Sequence, residues 1–301
     1  MKRNKKLQHF IEYKSLQIII SILHLFSIST AKKIGFFLAC IAFYLVPIRK
    51  KHIIDSLTKS FPKKNKQEIL KIAKDVYKQF VCTVVEIIFV SKMSDQELKS
   101  SVNFQNIYLI EQARKNGKGG VILSAHFGNW ELLAISFGHR YPLSVIVAKQ
   151  ENPYFDKMIN DIRYTRGYKT IYKEKAPLGV MRALKKNEFV AILADQYAGK
   201  HGVYTPFFYK EVSTPKGPAV FVLKAKCPLF AGFCTRQPNG RYVVTFEEIE
   251  VPNTCDENKN IEIIMTRYNE ILQRHIEKNP SFWFWFHRRW KTAKNKTNIV
   301  N

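Results

Sequence analysis

The segment from His126 to Glu131, with the sequence HFGNWE, holds the residues best suited to chemistry. A histidine can act as a general base near neutral pH, and a carboxylate five residues on can fix its tautomer and stabilise the imidazolium. A nucleophile signature such as G-x-S-x-G does not accompany it. The pattern therefore indicates direct transfer, in which His126 deprotonates a hydroxyl that attacks an activated acyl group. Because H-x4-E occurs often by chance, a hydrogen-bonded core histidine is the alternative interpretation. A zinc site is disfavoured, since H-E-x-x-H and a second ligand pair are absent from the sequence.

The element that must position His126 is the apolar run Gly119–Ala125, which reads as a buried strand. Ligands and catalytic groups of α/β folds collect at the carboxyl ends of strands, and the helix that follows offers N–H groups to negative charge. Further strands are predicted at Leu143–Ala148, Phe189–Ala194, Leu229–Thr235 and Tyr242–Glu250, with helices between and around them. This alternation predicts an α/β fold with a largely parallel central sheet flanked by helices.

Two apolar stretches near the N-terminus, Ser15–Ala31 and Ile34–Ile48, are separated by Lys32 and Lys33. A helix of about 15 residues spans about 22 Å, short of the roughly 30 Å hydrocarbon core of a bilayer. One span over Ser27–Ile48 with snorkelling lysines and a helix lying in the interface are both compatible with this pattern. A signal peptide is disfavoured because no cleavage site precedes a polar start, and a buried helical hairpin is a further alternative. The flanking basic residues favour an anionic membrane.

Charge and cysteine content narrow the classes of protein further. The 301 residues include 49 Lys and Arg against 24 Asp and Glu, a net charge of +25, but 46% are hydrophobic, which excludes a disordered basic tail. The excess implies an anionic partner, which could be nucleic acid, a membrane or an acidic protein. A nucleic-acid-binding protein is the weaker interpretation, because no reader motif is present and the apolar N-terminus would be unexplained. The five cysteines include no C-x-x-C pair, against a disulfide scaffold or zinc ribbon.

The HFGNWE segment resembles the H-x4-D/E motif of the glycerolipid acyltransferase superfamily. In particular it resembles the late acyltransferases of bacterial lipid A biosynthesis, a family that also includes phosphatidylinositol mannoside acyltransferases. The resemblance extends in order along nearly the whole chain, through Phe61-Pro62, Asn152-Pro153, Arg163-x3-Gly167, Asp195-Gln196, Gly202–Phe208, Thr214, Gly217–Ala219 and Trp283–Lys291. The last of these, WFWFHRRWK, is similar to the family ending W-x-W-x-H-R-R-(W/F)-K. The sequence departs from the family pattern at Asp55, where asparagine is frequent, and in the Tyr209–Thr214 loop.

The resemblance implies an enzyme of the bacterial inner membrane, with its catalytic domain on the cytoplasmic side. It would move a fatty acyl chain from acyl carrier protein to a hydroxyl of a lipid A precursor, with no metal or other cofactor. His126 and Glu131 would be catalytic. Arg163, Asp195 and Asn129 would bind substrate, with Arg163 on a phosphate or the thioester oxyanion and Asp195 orienting Arg163 or another site residue.

The same resemblance implies a division of the chain and leaves alternatives. Residues 1–60 would form the membrane anchor with its basic flanks, residues 61–292 the acyltransferase domain, and residues 293–301 a basic tail that frays. The aromatic run Phe282–Phe286, beside Arg288, Arg289 and Lys291, resembles an interfacial belt. Other lipid acceptors (a phosphatidylinositol mannoside, a lysophospholipid or an aminolipid) and an inactive scaffold of the same fold are the competing hypotheses. The intact His126 and Glu131 argue against the scaffold.

Overall fold

The fold is an α/β sandwich. The computed structural model describes residues 2–46 and 48–291. The predicted tail 293–301 lies outside the described residues. The helices are α1 (Lys2–Leu23), α2 (Ile28–Leu45), α3 (Lys50–Ser60), α4 (Lys66–Val90), α5 (Asp95–Ser101), α6 (Ile107–Lys115), α7 (Trp130–Gly138), α8 (Pro153–Thr165), α9 (Ala176–Lys185), α10 (Gly217–Ala225) and α11 (Glu257–Lys278). The strands are β1 (Val102–Gln105), β2 (Gly120–Ser124), β3 (Leu143–Val147), β4 (Lys169–Tyr172), β5 (Phe189–Leu193), β6 (Val203–Phe207), β7 (Lys210–Thr214), β8 (Leu229–Arg236) and β9 (Tyr242–Glu248).

The central sheet has seven strands in the order β1-β9-β8-β2-β5-β3-β4. Strands β8 and β9 pair antiparallel and the other neighbours pair parallel, so the predicted largely parallel sheet is confirmed. Strands β6 and β7 form a separate antiparallel hairpin. At the centre of the sheet, every residue of β2 is buried, and so is every residue of β5 except the last. Burial on both faces explains why the sequence of each strand is a nearly continuous apolar run.

Each face of the sheet carries its own hydrophobic cluster, because successive side chains of a strand point to opposite faces. Along β2, Val121 and Leu123 belong to one cluster and Ile122 to the other. The first cluster also contains buried residues of α2 and α3, among them Ala39, Phe43, Ile53 and Leu57. Helices from the N-terminal sixty residues therefore contribute to the same core that supports the sheet.

The N-terminal region forms two long helices that break at residues 24–27, between α1 and α2. Lys32 and Lys33 do not divide the apolar region into two helices, since α2 continues through both lysines, and its bounds agree with the alternative of one helix within Ser27–Ile48. Ser27 explains the true start of α2, because its side chain accepts a hydrogen bond from Thr30 N as an N-cap. Within the described residues, α2 is the helix that is long and apolar enough to cross a membrane, by length and composition only.

Candidate active site

The register of β2 against β5 brings two sequence-predicted residues together. Ser124 pairs with Leu193 at the carboxyl ends of these central strands. His126 and Asp195 each follow two residues later, so they leave the sheet side by side. One carboxylate oxygen of Asp195 lies 2.9 Å from His126 Nδ1, and the other accepts the backbone N–H of His126 at 3.0 Å. The carboxylate therefore holds both the ring and the main chain of the histidine.

This contact sets the protonation chemistry of His126. Burial alone would lower the pKa of the imidazole, but the charge and hydrogen bond of Asp195, with a weaker effect of Glu131, raise it above its ordinary value. Asp195 is 2% exposed. Burial would raise the pKa of its carboxyl, whereas the charge and hydrogen bond of His126 and the hydrogen bond from Trp283 lower it. An ionised Asp195 accepts the Nδ1–H, which leaves Nε2 as the ring nitrogen that can take a proton.

The aromatic run Phe282–Phe286 and the nearby Arg289 contact Asp195 and the loop that follows it. Trp283 Nε1 donates to the second Asp195 oxygen at 2.9 Å. Trp283 and Trp285 are both completely buried, so the expected interfacial belt is wrong for these two residues. Arg289 is also buried and donates to the carbonyls of Gln196 and Ser213. The segment therefore packs beneath the strand ends and fixes the loop that follows Asp195.

The turn between β2 and α7 depends on a glycine. Gly128 has φ of +60°, and a Cβ there would lie 1.9 Å from the Cys234 carbonyl oxygen, so a side chain cannot be accommodated. Asn129 then caps α7, accepting from Leu132 N at 2.9 Å and donating to Glu86 at 3.0 Å. Because Asn129 is 1% exposed and bonded within the protein, the structure places it under the turn and not at a substrate surface, contrary to the prediction.

Glu86 of α4, which sequence reasoning missed, lies at the centre of a buried ionic cluster behind this turn. It accepts from Arg236 at 2.6 and 2.7 Å and forms an ion pair with Lys32 of α2 at 2.7 Å. Burial alone would raise the pKa of the Glu86 carboxyl, but Arg236 and Lys32 lower it to about 2. A single acidic residue within the apolar run VVEIIFV was the signal that could have found it, because an isolated buried charge requires partners.

Glu131 has different partners from those expected. It does not bind the imidazole; it accepts from Arg163 Nη2 and, at 2.6 Å, from the hydroxyl of Tyr168. Burial would lower the pKa of the Arg163 guanidinium, and the charge and hydrogen bond of Glu131 raise it. The acid of the H-x4-E motif therefore contacts an arginine that lines the same cavity as the histidine, and the contact with the imidazole that was expected of Glu131 is made by Asp195. Of the residues that Asp195 was expected to orient, the one it contacts is His126 and not Arg163.

A cavity of about 360 Å³ opens beside His126 at this edge of the sheet. Its apolar wall includes Leu133, Ala134, Val145, Ile146, Ala191 and Leu193, and its polar lining includes His126, Glu131, Arg163 and Gln196. On its other side, His126 borders an apolar surface formed by Phe80 of α4 and Phe284 and Phe286 of the C-terminal segment. An apolar cavity with a few convergent polar groups is typical of a site for a largely apolar ligand.

Comparisons with known proteins identify the family to which this chain is similar. The family model described as bacterial lipid A biosynthesis acyltransferase matches residues 1–292. A lipid A biosynthesis acyltransferase of Haemophilus influenzae is 25% identical over 208 residues, covering 67% of this chain and 65% of that protein. A lipid A biosynthesis lauroyltransferase of Escherichia coli is 23% identical over 263 residues, 86% and 85% of the two chains. A phosphatidylinositol mannoside acyltransferase of Mycolicibacterium smegmatis is 20% identical over 179 residues, 58% and 57%.

Proposed function

The chain belongs to the bacterial lipid A biosynthesis acyltransferase family, and we propose that it transfers a fatty acyl chain from the thioester of an acyl carrier protein to a hydroxyl of a lipid A precursor. The observation that carries the proposal is the His126–Asp195 pair, with Nδ1 held at 2.9 Å by a buried carboxylate beside an apolar cavity. This is the geometry that a general base needs when its other nitrogen must accept a proton from a substrate.

The reaction proceeds by direct attack. His126 Nε2 takes the proton of the acceptor hydroxyl as its oxygen forms a bond to the thioester carbonyl carbon. The imidazolium that develops is stabilised by the Asp195 carboxylate. The tetrahedral intermediate then collapses, the carbon–sulfur bond breaks, and the leaving thiolate takes the proton from His126. The products are an ester on the acceptor and a free thiol on the carrier, so protons and electrons balance without an added reactant.

Arg163 supplies the positive charge that this intermediate requires. The guanidinium lines the cavity and is fixed by Glu131, which Tyr168 holds in turn. A preorganised donor beside the developing oxyanion stabilises the transition state more than the ground state. Glu131 therefore acts as a positioning residue for Arg163, and Arg163 stabilises the oxyanion.

Substrate classes follow from the shape and charge of the protein. The apolar cavity would hold the acyl chain of the donor, and the apolar surface of Phe80, Phe284 and Phe286 would receive the lipid acceptor. A net charge of +25 attracts an acidic carrier protein, a phosphorylated sugar lipid and the anionic surface of the membrane. These properties support action at the cytoplasmic face of the bacterial inner membrane.

A phosphatidylinositol mannoside is the second candidate acceptor, favoured by the partial match to the mycobacterial enzyme. Both acceptors present a hydroxyl to the same base, so the chemistry above is unchanged. Assaying purified enzyme with each acceptor and one acyl-carrier thioester separates them, because only the true acceptor gains the acyl mass.

The catalytic part of the proposal is tested by replacing His126 with alanine. Transfer of a radiolabelled acyl chain from carrier protein to a tetra-acylated lipid A precursor should fall by about 10²–10⁴-fold, the usual contribution of a general base. His201→Ala, which changes an exposed histidine outside the site, is the matched control and should retain activity. If His126→Ala stays within a few-fold of wild type while folded, the assignment of the base is wrong.

A further inference from the structure

The N-terminal helices present a continuous apolar surface whose geometry decides how the protein meets a membrane. All but five of the exposed large hydrophobic side chains among the described residues lie between residues 7 and 48. They lie on α1, in the connection to α2, along one side of α2, and just after α2 at Val46 and Ile48. On α2 the exposed side chains include Phe37, Leu38, Ile41, Tyr44 and Leu45. Exposed apolar surface on this scale marks an interaction site.

The opposite side of α2 belongs to the protein core. Ala31, Gly35, Ala39 and Phe43, which recur every four residues, are buried. A Cβ on Gly35 would lie 2.8 Å from Val81 of α4, so the two helices are in close contact there. At one end of this contact Lys32 pairs with Glu86, and at the other the Phe43 ring lies 5.4 Å from the Tyr77 ring. Helix α2 therefore packs along α4 over most of its length.

Helix α1 is attached to the catalytic fold near its middle and just beyond its C-terminal end. Near the middle of α1, Asn152 at the beginning of α8 donates to the His9 carbonyl at 2.9 Å and to Glu12 at 3.1 Å. Just beyond its last residue, His24 contacts the Ile88 carbonyl at 3.4 Å at the end of α4. The helix thus runs across the surface of the domain and does not project from it.

These contacts are incompatible with α2 crossing a bilayer. Helix α4 would then enter the hydrocarbon alongside α2, and Arg236 at the end of β8, which pairs with Glu86 opposite Lys32 of α2, would enter with it. Charged side chains within the hydrocarbon are costly. Thr83 of α4 donates to the Gly128 carbonyl at 3.1 Å, so the irregular catalytic turn would reach the same depth. Lipid-exposed irregular backbone does not occur in the hydrocarbon region.

We propose that α1 and α2 lie in the plane of an anionic phospholipid bilayer, as an embedded platform on the same side of the membrane as the catalytic domain, and that neither helix spans it. Basic groups border the apolar surface where lipid headgroups would lie, among them Lys14, Lys33, Lys50, Lys51 and Lys74. Phe80 and Val84 extend this surface along α4 toward His126. A lipid acceptor would therefore reach the base without leaving the membrane interface. The inference rests on the membrane location proposed above and adds its geometry.

Sidedness of labelling tests the proposal in the full chain. Lys5 is replaced by cysteine, and the native, exposed Cys255 reports the side of the catalytic domain. Sealed spheroplasts and inverted inner-membrane vesicles are treated with an impermeant maleimide, and each site is scored by peptide mass spectrometry. The proposal expects both thiols to be protected in spheroplasts and both to react in inverted vesicles. Reaction of Lys5→Cys in spheroplasts while Cys255 stays protected would show a span and overturn it.

A pair of leucine variants tests the contact surface itself. Leu45 on α2 is 75% exposed and Leu178 on α9 is 69% exposed, so glutamate at either position should leave the fold intact. Leu45→Glu should lose most binding to phosphatidylglycerol-containing vesicles in a flotation assay, and Leu178→Glu should bind as wild type does. Equal binding by both variants refutes the platform. If the wild-type protein itself remains unbound, the membrane location fails as well, whereas a bound protein with a far-side N-terminus contradicts only the in-plane geometry.

Discussion

Replacing Asp195 with asparagine tests the assignment of the carboxylate that orients the base. The substitution keeps the size of the side chain and one acceptor oxygen but removes the negative charge 2.9 Å from His126 Nδ1. Near a protein surface, opposite charges about 4 Å apart attract by about 4 kcal/mol at an effective dielectric constant of 20. The imidazolium forms only as the reaction proceeds, so removing the carboxylate destabilises the transition state and not the ground state. The activation free energy therefore rises by about 4 kcal/mol, which corresponds to about a 10³-fold decrease in kcat.

The pH dependence distinguishes this effect from a general loss of structure. Asp195 raises the pKa of His126, while burial lowers it. The base works only when neutral, so the rate of the wild-type enzyme rises as pH increases through this raised pKa. Removing the carboxylate leaves burial to dominate, so the rising limb of the kcat profile should move to lower pH while its plateau falls.

The assay is steady-state acyl transfer from carrier protein to lipid A precursor between pH 5 and 9, with thermal unfolding as the test of folding. Asp256→Asn, which changes the N-cap of α11 far along the chain from the site, is the matched control and should keep the wild-type profile. A folded Asp195→Asn enzyme with kcat within a few-fold of wild type, or with an unshifted limb, would refute the dyad.

Three further predictions concern the surroundings of the base. Glu86→Gln leaves Arg236 and Lys32 without their buried partner and should lower the free energy of unfolding by about 3–5 kcal/mol, measured by denaturant titration. Asp161→Asn in an exposed pair with Lys157 should have little effect. Because the folded pKa of Glu86 is lowered to about 2 from 4.5, its contribution to stability should be complete above pH 4.5 and lost as pH falls through 2. Arg163→Met should reduce kcat by about 10²–10³-fold with little change in KM. Arg182→Met, which changes an exposed arginine, is the control and should leave both constants unchanged. A rise in KM alone for Arg163→Met would instead indicate that Arg163 binds a phosphate. Ala134→Leu narrows the cavity and should shift donor preference to shorter chains relative to Ala134→Ser, measured by competition between acyl-carrier thioesters.

The central sheet could be predicted because its buried strands are short apolar runs bounded by turn residues. The strands β2, β3, β5, β8 and β9 were all found where apolar side chains dominate. By contrast, β1, β4 and the hairpin β6–β7 were missed. Their segments, such as KTIY in β4, are short and mix charged with apolar residues, so they are strands because of their neighbours and not because of local pattern.

The sequence predicted which residues lie in the candidate site better than it predicted which of them contact each other. His126, Glu131, Arg163 and Asp195 do come together at the sheet edge, as their place after strands or on the following helices suggested. Whether His126 contacts Asp195 or Glu131 depends on the register of β2 against β5. This pairing joins residues far apart in the chain, so the spacing of residues along the sequence does not predict it. The close spacing of His126 and Glu131 therefore suggested a contact that the fold does not make. Asn129 differs for a related reason, because the glycine turn directs its side chain inward to Glu86.

The measurement that tests the central claim most directly is mass spectrometry of lipid A from a bacterium lacking the gene for this protein. The account predicts lipid A that lacks one secondary acyl chain, with the full mass restored by the wild-type gene and not by the His126→Ala or Asp195→Asn form. The missing mass would also give the length of the transferred chain. An unchanged lipid A profile in the deletion strain would contradict the proposed acceptor, and restoration by His126→Ala would contradict the proposed base.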